Sequence, residues 1–134
     1  MLEKWTIWKP IEIPKGNYEV TNIMQNDKGT LIKLNDGVNK IDVLFEGFVV
    51  ALRVCDEGSR IKTVMEVQQS QSDRFYFSEW PLYMVENSMF GKWLIDESCG
   101  IYADGELEHI SIVTANEVID ILTTYQPVIS LTKD

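Results

Sequence analysis

A chain of 134 residues with 45% hydrophobic and 25% charged side chains has a globular rather than a disordered composition, and it can bury a core without disulfide or metal. Its net charge of -9 disfavours contact with a phosphate backbone, and no apolar run approaches the length of a membrane span. Cys55 and Cys99 lie outside any CxxC pair and the N-terminus lacks a signal-peptide apolar core, so the thiols read as buried and reduced and the chain as cytoplasmic.

The first half reads as strands. Tyr18–Gln25 leads through a turn at Asn26-Asp27-Lys28-Gly29 into Thr30–Leu34. Asn35-Asp36-Gly37 is a hairpin signal, because these residues tolerate the positive φ of tight turns. Ile41, Val43 and Phe45 then alternate with Asp42, Leu44 and Glu46, and Glu46-Gly47 marks a further turn. Phe48, Val50, Leu52 and Val54 recur at period two with Val49 and Ala51 between them, which predicts a central strand covered on both faces.

The second half mixes in helices. Ile61, Val64 and Met65 have the spacing of an amphipathic helix. Phe75-Tyr76-Phe77 and Leu82–Val85 look extended, with Pro81 at a strand start or edge. Ser88 reads as the cap of a short helix with Phe90, Trp93 and Leu94 on one face and Gly100 beyond its end. Asp104-Gly105 marks a hairpin leading into a strand that places Ile110 and Ile112 on one face. Thr114-Ala115-Asn116-Glu117 has the form of a capping box, with Val118, Ile121, Leu122 and Tyr125 as the buried stripe of a last helix stopped by Pro127. Val128–Leu131 reads as a terminal strand. The pattern predicts one α+β domain over residues 1–134, mostly antiparallel sheet with about three short helices.

No catalytic or cofactor signature stands out. The glycines form neither a P-loop nor a dinucleotide pattern. His109 is the only histidine, on the strand face of Leu107 and Ser111, and reads as a half-exposed strand residue rather than a general base. Neither cysteine has a nearby His or basic cluster in sequence to activate it. Asp56-Glu57 reads as a hydrated loop, with Arg60 beside Asp56, and Asp96-Glu97 as a solvated helix end. The aromatic run from Phe75 to Trp80 reads mainly as core. No metal and no cofactor is implied.

The charge is lopsided. Residues 1–67 hold nine basic and ten acidic side chains, whereas residues 68–134 hold three basic and eleven acidic. Between Trp93 and Thr132 there is no Lys or Arg against seven carboxylates: Asp96, Glu97, Asp104, Glu106, Glu108, Glu117 and Asp120. Such a surface repels nucleic acid and steers basic proteins.

Three segments belong together: Val54-Cys55-Asp56-Glu57-Gly58-Ser59-Arg60, Tyr83-Met84-Val85-Glu86-Asn87-Ser88 with Trp93 after it, and His109-Ile110-Ser111-Ile112-Val113-Thr114 running into Asn116–Leu122. Together they resemble a group of small Bacillus-type proteins, some of them encoded near polymorphic toxins of the contact-dependent or LXG kind. The resemblance implies an immunity protein that neutralises a cognate toxin. The expectation is therefore a binding protein for a basic partner, using Asp96, Glu97, Asp104, Glu106 and Glu108 with neighbouring aromatics as anchors. The alternatives are a small hydrolase or ligand-binding enzyme using Asp56, Glu57 or His109, and a homo-oligomeric structural protein joined through an uncovered sheet edge or an aromatic patch.

Overall fold

The computed structural model describes residues 2–103 and 105–133. Two antiparallel sheets, two helices and a 3-10 turn make an α+β fold. The strands are β1 (Lys4–Ile7), β2 (Glu19–Asn26), β3 (Gly29–Asn35), β4 (Asn39–Phe45), β5 (Ala51–Asp56), β6 (Leu82–Glu86), β7 (Glu108–Val113), β8 (Glu117–Thr123) and β9 (Val128–Lys133). The 3-10 turn covers Glu57–Ser59, and the helices are α1 (Ile61–Gln71) and α2 (Met89–Glu97).

Local turn chemistry builds the four-stranded sheet, ordered β2-β3-β4-β9. The β2–β3 turn closes at Gly29, whose φ of 144° suits glycine; a Cβ there would lie 2.1 Å from the Phe45 carbonyl oxygen. In the β3–β4 turn, Asp36 Oδ1 accepts the Val38 and Asn39 amides, and these bonds hold its carboxyl below the usual range. Alternation then puts Ile32, Leu34, Ile41, Val43 and Phe45 on one buried face.

The five-stranded sheet is ordered β1-β6-β7-β8-β5. Ile110, Ile112, Ile119 and Ile121 on β7 and β8 are fully buried and share one core with the inner face of the four-stranded sheet. The other face of these strands lies under the helices. There Gln71 at the end of α1 donates through Nε2 to the Trp5 carbonyl at 3.1 Å. Phe90 of α2 meets the His109 ring edge-on at 5.9 Å. The turn between β7 and β8 ties the two sheets together: Asn116 Oδ1 accepts the Val20 amide at 2.9 Å, and its Nδ2 donates to the Val20 carbonyl at 3.2 Å.

Several sequence expectations are corrected here. The capped helix from Thr114 to Tyr125 is a hairpin and strand. Thr114 Oγ1 does accept the Glu117 amide at 3.1 Å, but the Thr114 amide donates back to the Glu117 carbonyl and closes a β-turn. Val118, Ile121 and Leu122 have helical spacing only because β8 is a central strand whose residues from Val118 to Thr123 are all buried, so both faces are apolar. The run over Phe48–Val54 begins its pairing at Ala51 and forms an edge strand bonded to β8 alone, with Phe48 and Val54 exposed. Phe75-Tyr76-Phe77 lies in consecutive turns, not in a strand. Both helices form where expected, yet Ile61, Met65 and Trp93 are exposed and the apolar stripes are only partly buried. The Asp104-Gly105 hairpin signal falls partly on a residue outside those described.

Candidate functional site

The site grows from polar residues inserted into apolar strands. On the helix-covered face, β7 presents His109 and Ser111, β8 presents Asp120, and β5 places Arg53 opposite Asp120 in register. Asp120 is fully buried and must be paired, since an isolated buried carboxylate is heavily penalised. Its Oδ2 accepts from Arg53 Nε (3.0 Å) and Nη2 (2.8 Å) and from Arg60 Nη1 (2.6 Å). Its Oδ1 takes His109 Nε2 at 2.7 Å. Burial alone would raise the Asp120 pKa. The hydrogen bond and charge of His109, with the Arg60 and Arg53 guanidiniums, outweigh it and hold the carboxyl well below its usual range.

His109 is itself buried, and its second nitrogen, Nδ1, lies 2.6 Å from Ser88 Oγ. In its charged form the ring donates from both nitrogens; in its uncharged form the proton shared with Asp120 stays on Nε2 and the Nδ1 lone pair is left for the Ser88 hydroxyl. Ser88 caps α2, its Oγ accepting the Gly91 amide at 2.8 Å. The preceding residue, Asn87, has a φ of 56°, which turns the chain sharply from β6 into α2. Ser88, His109 and Asp120 thus form a continuous hydrogen-bonded line. Arg53 extends it outward, its guanidinium 4.2 Å from the Phe90 ring centroid.

A cleft of about 620 Å³ opens beside this line, between α2 and the β1–β6–β7 strands. Ser88 and His109 form part of its wall, with Ile7, Trp8, Val85, Ile95, Leu107 and Leu122 as apolar lining and Lys92, Glu86 and Glu108 as charged ones. Gly91 contributes no side chain; a Cβ there would stand 3.3 Å from Ser88 Oγ.

The carboxylates expected at a partner surface divide. Asp96 and Glu97 are exposed on the last turn of α2, and Glu106 is exposed on the segment leading to β7. Glu108 is half-buried in the cleft wall, with Oε2 buried and without a hydrogen-bond partner among the described residues. Asp104 lies outside the described residues. Glu117 opens β8, half-buried, and Asp120 is internal, so neither adds to an acidic face.

Other expectations change as well. Arg60 pairs with Asp120 rather than Asp56, whose Oδ2 instead accepts the Gly58 amide. Asp56 and Glu57 do not line the His109 cleft, so the carboxylate-and-histidine enzyme arrangement is not assembled. His109 is buried rather than half-exposed, Cys55 is partly buried, and Cys99 is exposed. Among the described residues no group of three or more His, Cys, Asp or Glu side chains is placed to hold a metal ion, and no helix is long and apolar enough to cross a membrane.

The line from Ser88 to Arg53 escaped sequence reading because its members are scattered over 67 positions and no fixed spacing joins them. A signal exists nonetheless. Asp120 and Arg53 each interrupt an apolar strand, and a charge in such a run needs a buried partner. In comparisons with known proteins the chain matches no family model, no curated sequence and no solved structure.

Proposed function

We propose that this protein acts by binding a basic protein partner, in the manner of an immunity protein that neutralises a toxin. The carrying observation is the stretch from α2 to the start of β7. Asp96, Glu97 and Glu106 are exposed along it, no Lys or Arg occurs from Leu94 to Leu131, and Trp93 and Ile101 stand 55% and 76% exposed in the same stretch. Carboxylates of one sign accelerate encounter with a basic surface and reject acidic ones. Exposed aromatic and aliphatic side chains within such a field supply the buried anchor that charge alone does not. The resemblance to proteins encoded beside polymorphic toxins gives this partner a class.

The test sequences the neighbouring genes for a toxin domain, whose absence rejects the reading, and measures association with such a domain at low and high salt for the wild type and for a variant carrying Asp96→Asn, Glu97→Gln and Glu106→Gln. The expected result is an association rate at low salt reduced by about tenfold or more, with a flattened salt dependence. Equal rates and equal salt slopes in the two proteins reject the acidic face as the docking surface.

A further inference from the structure

We infer that Ser88 is an activated nucleophile, with His109 as its general base and Asp120 as the residue that positions the ring, and that the adjoining cleft admits a small apolar carboxylic ester. Three independent features converge on Ser88. The first is the unbroken line of Oγ to Nδ1 at 2.6 Å and Nε2 to Oδ1 at 2.7 Å, the nucleophile–base–orienter geometry that acyl transfer requires. Here the two imidazole nitrogens exchange their usual roles, which leaves the proton path intact. The second is the sharp strand-to-helix turn through Asn87 at φ 56°, which presents Ser88 at the mouth of α2. The helix dipole and the Gly91 amide at 2.8 Å there favour negative charge on Oγ. The third is access: Ser88 and His109 both line a cleft of about 620 Å³.

The chemistry follows from that geometry. As Ser88 Oγ bonds to the ester carbonyl carbon, its proton passes to His109 Nδ1 and the carbonyl electron pair moves onto oxygen. The tetrahedral adduct collapses by breaking the bond to the alcohol oxygen, which takes the proton from Nδ1. Water then attacks the acyl-Ser88 ester with His109 again as base, releasing the carboxylic acid and restoring the hydroxyl. Ile7, Trp8, Ile95, Leu107 and Leu122 around the cleft favour an apolar chain, and Glu86 and Glu108, which outnumber Lys92 on the same wall, disfavour an anionic substrate. Arg53 and Arg60 compete with His109 for Asp120, so the imidazolium is stabilised less than beside a lone carboxylate, and turnover is slow.

The experiment treats the folded protein with an alkyl fluorophosphonate, in which Oγ displaces fluoride from phosphorus, and maps the adduct by peptide mass spectrometry. The expected result is a single adduct on Ser88, with hydrolysis of p-nitrophenyl butyrate abolished in parallel. Labelling slows by about a hundredfold or more in His109→Gln. Ser88→Asn, which keeps a helix cap but has no hydroxyl, takes no label while retaining the wild-type circular dichroism. Absence of an adduct on the folded wild type, or an adduct on another residue, overturns the inference. Those results would leave Ser88 as a helix cap and His109 as a satisfied buried histidine.

Discussion

On one side of β7 and β8, Ile110, Ile112, Ile119 and Ile121 pack into the core shared by the two sheets and offer no side-chain polar atom to satisfy. On the other side of the same strands, His109 and Asp120 lie under the helices, bonded to each other and to Ser88, Arg53 and Arg60, while Ser111 donates to the Ile119 carbonyl. The first face draws its stability from area removed from water and tolerates changes of shape in proportion to volume. The second is held by mutual satisfaction, so removal of one member strands the rest. The helix-covered face is therefore more brittle, though less of it is hydrocarbon.

Breaking the brittle face should give the largest effect. Asp120→Ala leaves two guanidiniums and His109 without their acceptor, and a loss of about 3–5 kcal/mol is expected in urea denaturation. The same residue sets an acid limit. Its folded pKa is lowered, so its contribution is complete above the unfolded value of about 3.9 and is lost as pH falls towards the folded value. Thermal melts from pH 6 downward should therefore show a loss below about pH 4 that is absent from a folded Asp120→Asn variant.

Ser88→Ala removes a helix cap and the partner of His109 Nδ1, for an expected loss of about 1–3 kcal/mol. Ser88→Asn should recover part of it. On the apolar face, Ile119→Val should cost only about 0.5–1.5 kcal/mol. A cost above that of Asp120→Ala would invert the comparison. Smallest of all, Asp96→Asn with Glu97→Gln should move the unfolding midpoint by no more than about 0.5 kcal/mol in free energy, since both are exposed.

The first hairpins were legible in the sequence because their information is local: positive-φ glycines and period-two alternation lie within a few residues of each other. The α2 cap at Ser88 was legible for the same reason. What resisted reading was whatever depends on distant neighbours. Val118–Leu122 carries a helical stripe and a strand run at once, and only its place between β7 and β5 decides between them. The apolar run before Val54 has the pattern of a central strand, yet among the described residues no strand covers its outer edge. Of the expected partner surface, Asp96, Glu97 and Glu106 are exposed, whereas Glu117 and Asp120 were drawn inward by strand register. The polar line through His109 needed partners from five separate segments, which no spacing rule connects.

The order in which the sheets close has a consequence for how the chain is made. β1 pairs with β6, and β4 with β9, so each sheet takes a strand from near the N-terminus and holds it open for a much later one. The β2–β3–β4 meander can form early, but the edge of β4 waits until residues 128–133 have left the ribosome. Such non-local closure slows folding towards the range of milliseconds to seconds. Until then an unpaired strand edge is exposed to other chains. The Asn116 side chain, clasping the Val20 backbone across 96 positions, is a second link of this kind, absent until the turn between β7 and β8 has been made.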